Sequence, residues 1–291
     1  MNAKPRVAVA TLRDREPYVL DDDPVFVEAL NGAGAAGELV NWDDPHDWSG
    51  FDAVVIRSPW DYFDKRAAFR DWVDHVDTVS LLLNPARIVH INDDKMYLRD
   101  LRERGIPIVP TEFIDPASPR AARDVAAEHG WVKIAIKSAL GGGASGLLVT
   151  EPTDEAERHL VALLAAGPVL IQPFLESIYD TGEVSVVLIG GEYSHAVRKT
   201  PTGGDHRVQI EYGGRYELAE PSEAAIDVAL RTFACFPEGA LYARIDMLEP
   251  DSDPKVIEAE LVEPELFFRM LPESADRMAR LTLDRIAAST R

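Results

Sequence analysis

The sequence has a single cysteine, Cys235, so no internal disulfide can form. Its neighbours Phe233, Ala234 and Phe236 are apolar, which places it in the interior as a packing residue. Basic residues are scarce: 30 Lys and Arg face 50 Asp and Glu, a formal charge of −20. Bulk attraction therefore cannot hold nucleic acid or an anionic membrane, and a phosphate ligand needs a local basic pocket aided by a metal ion. Long apolar runs are missing too. The longest, Leu160 to Ile171, is broken at Gly167-Pro168 and falls short of the ~20 residues that span a bilayer. The opening stretch MNAKPRVAVATLRD has no apolar core of a secretory signal, so a soluble, cytoplasmic protein is expected. No Ser/His/Asp or Cys/His set suggests a side-chain nucleophile, and the seven histidines form no ligand pair at helical spacing.

What is present is ordinary globular material: 46% hydrophobic and 27% charged residues in 291. At ~150 residues per domain the length suggests two domains. In the first third, Arg6–Ala10, Leu39-Val40, Ala53–Ile56 and Leu81–Leu83 read as strands, with helices from Pro24 and from Lys65 to Val76 between them. Strands alternating with helices imply a parallel sheet covered on both faces. In the middle, Asn92-Asp93-Asp94 reads as the cap of a helix through Arg104, and Trp131–Ser138 and Leu147–Thr150 read as strands around a glycine loop. The last third reads as antiparallel. Glu183–Ile189 and Glu192–Lys199 form a hairpin at Gly190-Gly191, and Leu241–Leu248 and Lys255–Val262 form another.

Gly141 to Gly146 satisfies G-x-G-x-x-G, but a strand follows, whereas a dinucleotide fold needs a helix there. A glycine loop between strands can instead fold over phosphates and donate backbone N–H groups. Lys137 lies on the strand entering the loop and shares a face with Lys133. In the C-terminal hairpin, Arg244 and Asp246 share one face, as do Glu258 and Glu260. Carboxylates grouped this way repel unless a cation lies between them, and oxygen ligands of this kind suit Mg²⁺.

Taken in order, the lysine strand, the glycine flap, the upstream Lys95 and the carboxylate hairpin resemble the ATP-grasp superfamily of ATP-dependent ligases over residues 92 to 270. The segments Arg57–Tyr62, Asn84-Pro85, Asp94-Lys95, Ser194–Lys199, Gly204–Gln209, Tyr242–Asp246 and Glu260–Pro264 are similar to its bacterial D-cycloserine (O-ureido-D-serine) cyclo-ligase subfamily. The resemblance implies an α/β pre-ATP-grasp domain over 1–91 and an ATP-grasp domain over 92–291, divided into a lid (92–170) and a catalytic part (171–291). It implies ATP and Mg²⁺ as cofactors. It implies that Lys95 and Lys137 hold phosphates under Gly142, Gly143, Ser145 and Gly146. Gln172, Pro173, Phe174 and Leu175 would form the adenine hinge, with Glu183 near the ribose. Arg198, Lys199 and Arg207 would act on the transferred phosphoryl group. Arg57, Trp60 and Asp61 would face the substrate. Asp246, Glu260 and Glu263 would bind the metal.

Three departures bear on this. Ser138 stands where a proline usually follows the second lysine. Alternation makes Glu258 the face-mate of Glu260, whereas Glu263, which the subfamily match favours, needs a bulge or strand end. Glu265 replaces a more usual small residue. The implied reaction is acyl-phosphate activation of a small amino acid-like carboxylate, with ring closure of O-ureido-D-serine to D-cycloserine as the sharper form. Intermolecular ligation of the glutathione-synthetase kind and a nucleotide-binding module without turnover are the alternatives. The expected partners are that small molecule and, for assembly, a second copy in a homodimer.

Overall fold

The computed structural model describes residues 3–13, 22–142, 146–250 and 253–289. Strands β1 (Arg6–Thr11), β2 (Ala36–Asn41), β3 (Ala53–Ser58) and β4 (Leu81–Leu83) form a parallel sheet in the order β2-β1-β3-β4. Such a sheet is covered on both faces, so its strands are apolar on both. Val7, Val9 and Val55 pack with Phe26 and Leu30 of α1 (Asp22–Gly32). Ala8, Val54 and Ile56 pack on the other side with Phe69, Trp72 and Val73 of α2 (Arg66–Val79). A 3₁₀ turn, Trp60–Lys65, joins β3 to α2.

The middle of the chain contains α3 (Ala86–Asn92), α4 (Tyr97–Glu103), β5 (Glu112–Ile114), α5 (Ala122–His129), β6 (Ile134–Ser138), β7 (Leu148–Thr150), α6 (Asp154–Leu164) and β8 (Val169–Pro173). Its four strands pair antiparallel in the order β5-β8-β6-β7. The strand–glycine loop–strand order expected from the sequence is therefore present. The helix expected from Asn92 onward is not continuous. Asp94 accepts the Met96 N–H at 2.8 Å, and the Lys95 N–H goes to the Ala139 carbonyl at 2.8 Å. These bonds hold 93–96 as a turn, and α4 begins only at Tyr97. The expected subdivision at residue 170 falls inside β8, which pairs with β5 and β6.

The remainder supplies α7 (Ser177–Asp180), β9 (Glu183–Ile189), β10 (Glu192–Thr200), β11 (Arg215–Ala219), α8 (Glu223–Phe233), β12 (Tyr242–Leu248), β13 (Lys255–Glu260) and α9 (Pro272–Ser289). Its sheet is antiparallel in the order β11-β10-β9-β12-β13. Gly190 and Gly191 both take positive φ, 67° and 81°, which suits the two-residue turn between β9 and β10. The edge strand β11 has no counterpart in the sequence reading, because Arg215–Ala219 lacks a clear apolar alternation. Cys235 is half-buried, its Sγ 3.4 Å from the Arg231 carbonyl.

Asn84 fastens the first sheet to the last. It is fully buried, donates to the carbonyls of Tyr242 (2.9 Å) and Leu261 (2.7 Å), and accepts the Leu241 N–H (2.5 Å). The Tyr242 hydroxyl, also buried, lies 2.7 Å from the Ile56 carbonyl. These polar groups fix the angle at which the parallel sheet meets β12 and β13.

Candidate active site

Strand alternation sorts β12 into two faces. Ala243, Ile245 and Met247 enter the core, while Arg244 and Asp246 point the other way. Antiparallel register sets Arg244 opposite Glu260 and Asp246 opposite Glu258. The pairing is regular from Arg244 to Asp246, so alternation alone keeps both carboxylates of β13 on that face, and the register shifts only beyond them, between Asp246 and Met247. Next to them, β9 contributes Glu183 and β10 contributes Lys199. From the middle sheet, β6 contributes Lys137, and the turn before α4 contributes Lys95. All of these side chains line one cleft of about 430 Å³, so cationic and acidic groups from distant parts of the chain share one space.

The acidic wall is internally neutralised. Arg244, 8% exposed, binds Asp246 Oδ2 at 2.9 Å through Nη2 and Glu260 Oε1 at 2.5 Å. Lys199 pairs with Glu183 and lies 3.5 Å from Asp246. Ser185 donates to Asp246 Oδ1 at 2.5 Å. Burial pushes the Asp246 carboxyl up, but Arg244 and Lys199 outweigh it and hold the group well below the usual range. Glu260 behaves oppositely. Burial, together with Glu258, Asp246 and Glu263, overcomes Arg244 and pushes it up to about 8. Burial also pushes Glu263 up to about 7, despite the hydrogen bond from Tyr62. Lys95 bonds Glu258 at 2.9 Å and the Gly141 carbonyl; burial opposes its charge, but Glu258 more than compensates and raises its pKa. Among the described residues Lys137 has no such ion-pair partner. Burial, and the nearby Lys95 charge, lower it to about 8. An anion in the cleft would restore its proton.

The sequence matches two family models: the N-terminal domain of D-cycloserine synthetase DcsG over residues 7–84, and the ATP-grasp domain of prokaryotic glutathione synthetase over residues 107–261. The chain belongs to the ATP-grasp ligases. It is 31% identical to the cycloserine biosynthesis protein DcsG of Streptomyces lavendulae, over 96% of this chain and 98% of that protein. It is 28% identical to a glutathione synthetase of Thermosynechococcus vestitus over 52% of this chain and 46% of that one. The crystal structure of D-cycloserine synthetase DcsG superposes with a TM-score of 0.86 at 30% identity, covering 97% of this chain and 99% of that one. A D-alanine–D-alanine ligase of Bacillus anthracis shares the fold, with a TM-score of 0.71 at 16% identity over 99% of this chain and 97% of that one. The ATP-grasp fold expected from the sequence is thus the fold of this chain.

The residues singled out in the sequence fall into three groups. Lys95, Lys137, Gly142, Glu183, Lys199, Trp60, Asp246, Glu260 and Glu263 all line the cleft. Gly143 and Ser145 lie outside the described residues. The others are placed elsewhere. Arg198 neighbours Lys199 on β10 and therefore points to the opposite face, where it donates to the Thr181 carbonyl. Arg207 is held by Asp205 at 2.6 Å and lies over the Tyr212 ring at 3.6 Å. Asp61 accepts from Trp42 Nε1 (2.8 Å) and Lys65 (2.7 Å) on the outer side of the 3₁₀ turn. Arg57, 2% exposed, lies beneath the cleft in a small compartment with Asp22, Asp23 and Arg269, where its Nε and Nη1 have no hydrogen-bond partner among the described residues. Gly146 accepts from His159 at 2.8 Å.

None of Gln172, Pro173, Phe174 or Leu175 is among the described residues lining the cleft. The Gln172 side chain is buried and donates to Thr111 at 2.9 Å. Val208, from the connection between β10 and β11, packs in the cluster that includes Phe174, Leu175, Leu248 and the cleft-lining Ile257. That connection also brings Gln209, Ile210 and Glu211 to the cleft, which no sequence signal announced. Arg244 and Glu258 are two further lining residues absent from the expected site. Their shared faces were legible, but only the register shows that each sits across from an expected metal ligand.

Among the described residues, no three His, Cys, Asp or Glu side chains stand together as a ready metal-binding group. The donor chemistry nevertheless fits Mg²⁺. Asp246, Glu258, Glu260 and Glu263 supply oxygen donors on one wall, the donor type that Mg²⁺ takes.

Proposed function

We propose that this protein is a Mg·ATP-dependent ligase that activates an amino acid-like carboxylate as an acyl phosphate and forms a carbon–nitrogen bond on it. Ring closure of O-ureido-D-serine to D-cycloserine is the reaction it fits best. One observation carries the reading: Lys95 and Lys137, remote in sequence from Asp246 and Glu260, face them across a single cleft. The near-full-length likeness to a cycloserine biosynthesis protein supports the specific substrate.

A carboxylate resists attack because its oxygen is a poor leaving group, and phosphorylation replaces that oxygen with phosphate. The chain's task is then positioning and charge neutralisation. Lys137 takes the nucleotide phosphates, and its lowered pKa leaves it poised to gain a proton as an anion arrives. Lys95 holds the Gly141 carbonyl at the entrance to the flap and adds a second positive charge. Arg244 and Lys199, charged and rigidly held, stabilise negative charge on the transferred phosphoryl group and on the acyl oxygen. Asp246, Glu260, Glu258 and Glu263 would hold Mg²⁺, which supplies charge neutralisation to the phosphates when bound. Trp60, in the cleft wall, and Arg57, beneath it, lie toward the substrate end.

The test is phosphate release from ATP and Mg²⁺ with O-ureido-D-serine, followed together with the cyclic product. Phosphate and D-cycloserine in equal amounts, with no added amine, are expected. Phosphate release that appears only when a second amine is supplied would overturn ring closure in favour of intermolecular ligation.

A further inference from the structure

Adjoining the cleft, and sharing Phe63, Lys95, Gly142, Glu258, Glu260 and Glu263 with it, is a second, smaller cavity of about 40 Å³. It is room enough for water, and its lining adds Asn92, Asp93 and Asp94 to the carboxylates of the acidic wall. Of the described residues that line both spaces, Phe63 alone has an apolar side chain. Its ring rests directly on the glycine flap: a Cβ at Gly142 would lie 2.7 Å from Phe63 Cζ. The ring is fixed from behind by a column of aromatic rings. Tyr62 packs against it with centroids 4.2 Å apart and planes tilted by 33°, and Phe69 stacks on Tyr62 at 4.3 Å. Tyr62 in turn donates to Glu263 Oε1 at 3.0 Å, and Trp60 donates to the Glu263 carbonyl at 3.2 Å. The 3₁₀ turn of the N-terminal sheet is thereby tied to the acidic wall on one side and rests on the flap on the other.

We propose that Phe63 is a positioning residue that keeps water from the activated carboxylate, by packing on Gly142 and closing the wall between the reaction cleft and the water-sized cavity. This rests on the reading that an acyl phosphate forms in the cleft. The reaction it suppresses is hydrolysis of that intermediate. Water oxygen bonds to the acyl carbon, the bond from that carbon to the phosphate oxygen breaks, and phosphate leaves with the electron pair. The water's protons pass to solvent, and the original carboxylate is regenerated. ATP is consumed and no product forms. An apolar ring can prevent this where the surrounding polar side chains would instead conduct water inward.

The experiment compares wild type, Phe63→Ala and Phe63→Leu in two activity measurements and one binding measurement. With O-ureido-D-serine, ATP and Mg²⁺, the phosphate released per product formed is expected to rise at least about threefold in Phe63→Ala and to stay near the wild-type ratio in Phe63→Leu, which restores apolar bulk. With Mg·ATP alone no acyl phosphate forms, so phosphate release is expected to change less than about twofold in either variant. ADP affinity is expected to change less than about twofold in both variants, since the ring touches the flap and not the lysines. An unchanged ratio in Phe63→Ala would overturn the proposal, as would a rise in release with Mg·ATP alone that matches the rise with substrate. So would uncoupling accompanied by loss of ADP binding, which marks general collapse of the cleft. If Phe63→Ala does not fold, Gly142→Ala, whose methyl pushes the ring away, is expected to uncouple in its place, and tight coupling in that variant would refute the idea. A wild type that releases no phosphate beyond its basal rate with this probe would overturn the substrate reading and, with it, the premise on which the role of Phe63 rests, an outcome distinct from an active enzyme with an unchanged ratio.

Discussion

Lys137 should make nucleotide binding depend on pH over an unusual range for a lysine. Its ordinary pKa of 10.5 is lowered to about 8 by burial, with Lys95 adding to the effect and Glu258, Glu183 and Asp246 opposing it. In the empty cleft the charged fraction falls from roughly nine-tenths at pH 7 to roughly one-tenth at pH 9. A phosphate ligand supplies the missing favourable interaction and returns the group toward its ordinary value. Binding therefore takes up a proton above pH 8, and affinity weakens as pH rises. The expected loss is about tenfold between pH 7 and 9, with a ceiling of roughly 300-fold if the bound pKa returns fully to 10.5. Glu260 and Glu263, pushed up to about 8 and about 7, titrate in the same window, so the wild type alone does not isolate the lysine. Lys137→Arg does, because a guanidinium stays charged throughout. The assay is calorimetric titration with ADP and Mg²⁺ at half-unit steps of pH, comparing the two proteins. A wild-type slope no steeper than that of Lys137→Arg would refute the argument that this lysine is desolvated and free.

Other perturbations test neighbouring parts of the same construction. Arg244→Met leaves Asp246 and Glu260 buried without their counter-charge and should cost about 3–5 kcal/mol in urea unfolding at pH 8, less at pH 5 where carboxylates take up protons. An equal loss at both pH values would argue against an electrostatic cause. Asn84→Ala strands the Leu241 N–H and two carbonyls and should destabilise the fold by roughly 2–5 kcal/mol by the same measurement. A cost under about 0.5 kcal/mol would show that the junction does not depend on it. Glu258→Gln should raise the Mg²⁺ concentration for half-maximal phosphate release by about tenfold or more, because Glu258 sits directly across from Asp246. Unaltered Mg²⁺ dependence would return that position to its ion pair with Lys95 alone.

Local chemistry makes much of this protein legible in its sequence. Both C-terminal hairpins and the two-faced apolar strands of the first third are written in short-range patterns, and such patterns survive folding unchanged. Strand alternation alone sets Arg244 with Asp246 and Glu258 with Glu260. The same rule, applied to Arg198 and Lys199, shows why adjacent residues on β10 cannot both serve the cleft. Three matters lie beyond it. Cross-strand register decides that Glu258 faces Asp246 and Glu260 faces Arg244. Val208 packs in one cluster with Phe174, Leu175 and the cleft-lining Ile257, a meeting set by a long connection with no periodicity of its own. The contact of Phe63 with Gly142 joins segments nearly eighty positions apart, one following the first sheet and the other following β6 of the middle sheet. Sequence patterns determine which way a side chain leaves its own strand. What it meets there depends on rigid elements packed from elsewhere in the chain, and only the folded molecule brings those together.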